Sequence, residues 1–157
     1  MNLIISGIVA GVIGTMFMDL MNNLVARTGL LLKIDMALLG RMTAGWTHGR
    51  FIYNHPDELE PVPNEKIYGY LTHFAIGISL AVPFITLWGL FVKNPLTPFG
   101  AIIFGISTTA ASFFLVYPSM GLGVCGLKSP VKIKAFVSPL ANHFFYGVGL
   151  AIAVAIL

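Results

Sequence analysis

Four apolar runs, each about as long as a bilayer is thick, constrain the fold of this chain more than any other feature. They cover about residues 3–25, 67–92, 96–116 and 135–157. A helix needs about 20 apolar residues to cross the hydrocarbon core of a membrane. Only 10% of the residues are charged, against roughly 25% in soluble domains. We therefore predict an all-α polytopic membrane protein with four transmembrane helices, formed as a single membrane domain over residues 1–157.

The cationic side chains are distributed unevenly among the connectors between these runs. Of the nine Lys and Arg residues, five lie in the first connector (27–66), three lie in the third (118–134), and Lys93 alone lies in the second. Cytoplasmic loops of membrane proteins are enriched in Lys and Arg. We predict that connectors 27–66 and 118–134 are cytoplasmic and that both termini lie outside, in a bacterial inner membrane. The net charge of +3 follows this topology, so the expected partner is the lipid bilayer and not a nucleic acid.

The first connector has the features of a short interfacial helix. Asp35 is placed to cap a helix that begins at Met36 and runs to about Met42. Trp46 follows as an aromatic residue suited to the membrane surface. Farther on, Asn64 is placed to cap the second membrane helix. We expect the short helix to lie along the cytoplasmic face of the bilayer.

Three ionisable side chains inside the apolar runs are the main functional candidates: Asp19, His73 and His143. Each lies on the order of 10 Å from the predicted cytoplasmic boundary, at 1.5 Å per helical residue. Ionisable groups at this depth are costly and usually mark a working site. Within about a turn of the same level lie further polar residues, Ser112, Asn142 and Tyr146. Together these residues predict a polar intramembrane site in a cavity that opens to the cytoplasm.

This set of residues is compatible with two kinds of chemistry. A carboxylate and two histidines can take up and release protons, which predicts proton- or cation-linked transport of a small solute. Alternatively, Asp19, His73 and His143 are ligands of a metal, or the two histidines are ligands of haem, in a binding protein or an enzyme. No local ligand motif such as HExxH supports this alternative. No catalytic residue is assigned under either interpretation.

Basic side chains in the two cytoplasmic connectors are candidates for a site that binds an anionic headgroup or substrate. They are Arg41, Arg50, Lys128 and Lys132. The Gly-rich segment 121–126 is predicted to be a tight loop whose amides are available to a phosphate. The simpler interpretation is that the charges follow the positive-inside rule and contact ordinary anionic lipid. Lipid binding, and a non-catalytic role as a subunit of a membrane complex, are therefore kept as further alternatives.

The first helix carries a face of small residues that predicts close helix packing. Gly7 and Gly11 have the GxxxG spacing that lets two helices approach closely in lipid. A transporter built from only four helices would benefit from a second copy. We therefore consider a homodimer formed through the Gly7/Gly11 face.

Several local signatures resemble one family. They are Met18-Asp19, Asp35-Met-Ala-Leu-Leu-Gly-Arg41, His48-Gly-Arg-Phe51, Pro61-Val-Pro-Asn-Glu65, Tyr70-Leu-Thr-His-Phe-Ala-Ile-Gly77, Pro118-Ser-Met-Gly-Leu-Gly123 and His143-Phe-Phe-Tyr-Gly-Val-Gly-Leu150. Together they resemble an uncharacterised bacterial family of small four-helix integral membrane proteins, catalogued as a domain of unknown function. The resemblance runs through nearly the whole chain. It implies the four-helix membrane layout and supplies no activity, substrate or catalytic residue.

Overall fold

The structure is a computed structural model that describes residues 2–92 and 96–157; Lys93, the one cation of the second connector, lies outside the described residues. Its described part contains helices and no strands. The helices are α1 (Leu3–Ala26), α2 (Met36–Thr47), α3 (Glu65–Phe91), α4 (Pro98–Ser119) and α5 (Lys132–Ile156). Four of them, α1, α3, α4 and α5, are long and apolar enough to cross a membrane. This confirms the all-α class and the four apolar helices that the sequence predicts.

Helix α1 lies at the centre of the helix packing. It contacts α3 on one side and α5 on the other, while α4 packs on α5 and α2 packs on α3. Among the described residues, α3 and α4 make no extensive contact with each other. They meet through the stacked rings of Phe84 and Phe104, whose centroids are 3.8 Å apart. The four long apolar helices therefore follow the order α3, α1, α5, α4, which leaves a space between the first and the last.

Glycines set the distance between α1 and α3. A Cβ atom at Gly7 would lie 2.7 Å from the Cα of Val82, and one at Gly11 would lie 2.7 Å from the Cα of Ile78. Small residues allow such close backbone packing, which holds helices together in lipid, where there is little hydrophobic drive to association. The Gly7/Gly11 face that we considered for a homodimer is thus occupied by α3 of the same chain. A homodimer itself stays a prediction, and it would have to use another surface.

Helix α2, which the sequence predicts as an interfacial helix, begins at the predicted residue and is longer than expected. The Asp35 carboxylate accepts hydrogen bonds from two amides of the first turn of α2, each at 3.0 Å. The helix continues to Thr47, five residues beyond the predicted end at Met42. Helix α3 begins directly after Asn64, as predicted, but this residue is left-handed (φ 57°) and its side chain makes no capping hydrogen bond. Asn tolerates that conformation better than most residues, which explains its presence at the start of α3.

The first and third connectors pack against each other at one end of the molecule, called here the connector end. The Ser119 hydroxyl donates a hydrogen bond to the Phe51 carbonyl at 2.6 Å. A Cβ atom at Gly121 would overlap the backbone of His55, and the φ of this glycine is +74°. The predicted tight, close-approaching glycine loop is confirmed, because both its conformation and its neighbour exclude a side chain at Gly121.

We predict that Gly69→Ala destabilises the packing of α2 on α3. A Cβ atom at Gly69 would overlap the carbonyl oxygen of Met36, which is backbone and cannot move aside cheaply. Overpacking of this kind costs about 1–3 kcal/mol. The measurement is the thermal unfolding midpoint in detergent, followed by circular dichroism. The control is Gly100→Ala, whose Cβ would meet only side-chain atoms at 3.3 Å or more and which should leave the midpoint unchanged or slightly raised. Equal midpoints for the two variants would contradict the conclusion that Gly69 is required for the close packing of α2 on α3.

Candidate functional site

Asp19 of α1 and His73 of α3 form a direct hydrogen-bonded pair. The Nε2 atom of His73 lies 2.9 Å from Oδ1 of Asp19, and the two side chains are 12% and 18% exposed. A carboxylate accepts, so His73 donates through Nε2–H. Nδ1 of His73 then has no hydrogen-bond partner among the described residues. The structure thus joins two of the three predicted ionisable residues and leaves one ring nitrogen of the pair unused.

His143 of α5, the third predicted residue, binds instead to two hydroxyl groups of α4. Its Nδ1 lies 2.7 Å from Oγ1 of Thr108, and its Nε2 lies 2.9 Å from Oγ of Ser112. The Thr108 hydroxyl also donates its single hydrogen to the carbonyl of Gly105, at 2.6 Å. His143 must therefore donate from Nδ1 to Thr108 and accept at Nε2 from Ser112. Both ring nitrogens of a neutral His143 are used in holding α4 to α5.

Helix α4 is irregular where it meets His143. Its regular first part is Pro98–Ser107, and Ser112–Val116 forms a π-helical turn. Single π-turns inside α-helices are rare and occur often at functional sites. Thr108 and Ser112, four residues apart, present their hydroxyls to the two nitrogens of one imidazole ring. The irregular part of α4 is therefore fixed by a side chain of α5.

A cavity of about 340 Å³ lies in the space between α3 and α4, in the half of the bundle near the connector end. We call it the central cavity. Predicted site residues found in its lining are His73, Ser112, Asn142, His143 and Tyr146. Asp19 does not line it. The rest of the lining is mostly aliphatic, from residues such as Ile76, Leu80, Val116 and Met120. The sequence led us to expect a polar cavity, whereas the structure has an apolar cavity with a few polar groups.

Tyr146 has a structural role in this lining. Its side chain is almost fully buried, and its hydroxyl donates a hydrogen bond to the Gly77 carbonyl at 2.5 Å. This bond ties α5 to α3 near the middle of α1, where Thr15 and Gly77 also meet. The hydroxyl of Tyr146 is therefore engaged with the backbone, even though its ring faces the cavity.

A non-helical segment, residues 32–35, separates the central cavity from the connector end; we call it the strap. Asn22, which is 2% exposed, holds it in place. Its Nδ2 donates to the Leu32 carbonyl at 3.0 Å, and its Oδ1 accepts from the Ile34 amide at 3.2 Å. Ser138 of α5 accepts a further bond, from the Leu32 amide at 2.8 Å. Side chains of two helices thus satisfy backbone groups that would otherwise be buried without partners.

Asn22 was not among the site residues predicted from the sequence. The hydrogen bonds that reveal its role depend on a segment ten residues later in the chain. Its Nδ2 also donates to Oδ1 of Asn142 at 3.0 Å, so one amide group links α1, the strap and α5. The one sequence feature that could have indicated this role is the position of Asn22, one helical turn after Asp19 on the same helix.

On the other side of the strap lies a cleft of about 370 Å³, which we call the charged cleft. Its lining includes two carboxylates, those of Asp19 and Asp35, and two ammonium groups, those of Lys33 and Lys66. Neither lysine has a hydrogen-bond or ion-pair partner among the described residues. Sequence analysis counted both lysines only as topology signals. Asp19 faces this cleft while its partner His73 faces the central cavity, so the pair lies at the boundary between the two spaces.

The four basic residues that we considered for an anionic site do not line the central cavity or the cleft. Arg41 forms a bidentate ion pair with Glu65, at 2.7 and 3.1 Å, and this hydrogen bonding raises the pKa of Arg41. Arg50 pairs with Glu58 and lies over the ring of Tyr53. The two lysines are exposed: Lys128 donates to the Asn54 carbonyl, and Lys132 begins α5. The two arginines are thus neutralised by carboxylates of the chain itself.

Three of the six amides in the glycine loop, residues 121–126, have carbonyl partners. The amide of Gly121 donates to Pro118, that of Leu122 donates to Tyr117, and that of Gly126 donates to Gly123. These three amides are not available to a phosphate. The predicted role of the loop in binding an anion therefore stays a prediction for its middle residues, 123–125.

The ligand set of the metal alternative is not assembled within residues 2–92 and 96–157. No three His, Cys, Asp or Glu side chains of this part of the chain lie close enough to hold one metal ion. The reason is geometric, since Asp19 and His73 face each other across α1 and α3 while His143 turns to α4.

The sequence matches one known protein family. Residues 8–157 match the family described as "Protein of unknown function (DUF2938)". The chain belongs to the DUF2938 family. This confirms the resemblance to an uncharacterised family, and the matched stretch of DUF2938 contains every site residue described above. No curated protein and no solved structure matches the chain. Its function must therefore be argued from the geometry of the site.

We predict that Asn22→Leu destabilises the protein by about 2–4 kcal/mol. The change leaves the Leu32 carbonyl and the Ile34 amide without their partner, and each buried unsatisfied group costs about 1–3 kcal/mol. The matched control is Asn23→Leu, next to it in the chain, which is exposed and makes none of these bonds. Hydrogen exchange of the strap amides, measured in detergent, should accelerate in Asn22→Leu alone. Unchanged exchange in that variant would show that Asn22 does not hold the strap.

Proposed function

We propose that this DUF2938 protein is an inner-membrane carrier that binds a small solute in the central cavity and couples its movement to a proton held by Asp19 and His73. The observation that carries the proposal is the position of this pair. One member faces the charged cleft and the other faces the central cavity, with 2.9 Å between them. A proton held by the pair is within reach of both spaces.

The chemistry of the pair suits this role. With Nε2–H donated to the Asp19 carboxylate, a second proton on Nδ1 makes His73 a cation that is already paired with an anion. The low dielectric of the membrane strongly penalises an isolated charge, whereas a balanced pair avoids most of that cost. The Asp19–His73 pair is therefore neutral overall when it holds the second proton, and it carries the single negative charge of Asp19 after it releases that proton.

The other polar groups do not compete for this role. Both nitrogens of His143 are bonded to hydroxyls, and Tyr146 is bonded to a carbonyl. The metal alternative is less well supported, because the residues it requires lie in two separate hydrogen-bonded groups. Proton coupling through Asp19 and His73 is the function that uses the hydrogen-bonded pair between the two spaces.

The proposal includes an orientation in the membrane. The first and third connectors carry eight of the nine cationic residues, which supports a cytoplasmic location for the connector end. The charged cleft then opens toward the cytoplasm, and both termini lie on the opposite side. Four apolar helices are compatible with this arrangement.

We predict that Asp19→Asn uncouples solute movement from protons. The protein is reconstituted in liposomes that contain a pH-sensitive dye, and a panel of small neutral solutes is added outside. In the parent protein at least one solute should acidify the interior as it enters, and this rate should fall on the order of 100-fold in Asp19→Asn, as is usual when a proton-transfer group is lost. Solute-dependent acidification at the parent rate in Asp19→Asn would refute the role of the pair.

The chain provides a matched control for that experiment. Asp57 also pairs with a histidine, His55, at 3.0 Å, but both side chains are exposed in the first connector. Asp57→Asn removes the same carboxylate from an Asp–His pair outside the membrane-spanning helices. It should transport and acidify like the parent protein.

We predict that reporters will place the connector end in the cytoplasm. Alkaline phosphatase fused after Leu157 should be active, because this enzyme folds only outside the cytoplasm. Green fluorescent protein fused after Glu60, in the first connector, should fluoresce, because it folds inside. The positive-inside distribution is the physical reason for both outcomes. An inactive phosphatase at Leu157 together with a dark fusion at Glu60 would reverse the proposed orientation.

A further inference from the structure

We infer that the solute of the central cavity is a small amphiphile with an apolar body and one uncharged hydroxyl head. This inference rests on the proposed function only in taking the central cavity as the solute site. Its volume of about 340 Å³ lies at the lower end of the range for small-molecule sites. The mostly aliphatic walls favour an apolar body, since burying apolar surface is the main source of affinity there.

Asn142 offers an open hydrogen-bond donor to the head of the solute. This residue is 7% exposed and lines the cavity. The hydrogen-bond network determines how its amide is oriented. Both hydrogens of Asn22 Nδ2 are used, on the Leu32 carbonyl and on Asn142 Oδ1. Asn142 must therefore turn its oxygen toward Asn22, which leaves its Nδ2 without an acceptor among the described residues. This amide faces a mostly aliphatic cavity without a protein acceptor, so a solute that carries an acceptor would be favoured there.

An open acceptor, the Ser112 hydroxyl, lines the same cavity as that donor. Ser112 gives its only hydrogen to Nε2 of His143, the residue after Asn142. The lone pairs of the Ser112 oxygen remain available, and Ser112 lines the same cavity. A hydroxyl head would accept from Asn142 and donate to Ser112, which satisfies both groups. A ketone would satisfy only the first.

A charged head does not suit this cavity. Apart from the two histidines, the charged residues in the lining are Lys33 and Asp35 of the strap, which are exposed and of opposite sign. The Asp35 carboxylate is already bonded to the first turn of α2, and the unpaired Lys33 ammonium is exposed. Neither a cationic nor an anionic head would find a buried counter-charge in the lining, and burying an unpaired charge is costly.

The route for such a molecule is the space between α3 and α4. Within the described residues, α3 and α4 make no extensive contact, and the Phe84–Phe104 stack joins them away from the connector end. An amphiphile dissolved in the bilayer reaches this space without crossing the strap. The hydroxyl then meets the polar groups of α4 and α5 while the apolar body contacts α3.

Photolabelling of the full chain in liposomes tests this inference. The probe is an alkanol of about twelve carbons with a diazirine in its chain, and the matched probes carry a sulfonate or a trimethylammonium group in place of the hydroxyl. Labelled residues are located by mass spectrometry. The alkanol should label cavity residues such as Ile76 and Val116, and unlabelled alkanol should compete. All three probes should label Phe114 and Leu115, which face outward on α4.

Two variants separate a specific site from general partition into lipid. Ala111→Phe fills the cavity without removing any hydrogen bond and should reduce labelling of Ile76 by about tenfold, while labelling of Leu115 is unchanged. Asn142→Leu removes the open donor and should also reduce labelling of Ile76, by about fivefold to tenfold. If Asn142→Leu fails to fold, Ala111→Phe and competition in the parent protein still decide the question. Equal labelling of Ile76 by the charged probes, or labelling unaffected by Ala111→Phe, would overturn the inference.

Failure of this inference is distinguishable from failure of the proposed function. Photolabelling requires no pH gradient, so Asp19→Asn should bind the alkanol like the parent protein. Labelling of the cavity together with wild-type proton coupling in Asp19→Asn would retain the ligand class and reject the proton-carrying pair. Proton-coupled flux of solutes without labelling of the cavity by the alkanol would do the reverse.

Discussion

The position of α1 between α3 and α5 is the constraint on which the rest of the structure depends. In lipid, apolar side chains gain little by leaving their surroundings, so helices associate through close packing and interhelical hydrogen bonds. Gly7 and Gly11 bring α1 onto the backbone of α3, and Gly14 faces Gly149 of α5. Because α1 fills the space between these two helices, α4 can reach only α5. The central cavity follows from this arrangement, since nothing brings α3 and α4 together along their length.

The second requirement is that buried backbone groups have partners. The strap passes between the helices in a non-helical conformation, so the partly buried backbone groups of Leu32 and Ile34 have no helical partners. Asn22 and Ser138 supply the missing partners, and Asn142 holds Asn22 in place. The cost of ordering the strap is therefore offset by side chains of α1 and α5. The same contacts leave one amide donor of Asn142 open to the cavity, which connects the stability of the strap with the proposed solute site.

The sequence predicted the helices well because length and apolarity are local properties. It predicted the start of α2 at Asp35 for the same reason, since a helix cap involves only the next few residues. It placed the start of α3 correctly after Asn64 but missed that this residue adopts a left-handed conformation without a capping hydrogen bond. It also grouped Asp19, His73 and His143 by depth alone. Depth along a helix axis leaves open the direction in which each side chain projects, and the partner of His143 proved to be the hydroxyl face of α4.

The order of apolar and charged segments by itself determined that the described chain is all-α, with four helices able to span a membrane and with cationic connectors concentrated at one end. Tertiary structure alone decided that the Gly7/Gly11 face contacts α3, that Asp19 pairs with His73, and that Asn22 holds the strap. The physical reason is the range of the interactions. Helix formation and membrane compatibility depend on neighbours within a few residues. Each contact of the site joins residues that are far apart in the chain or depends on which face a helix turns toward its neighbour.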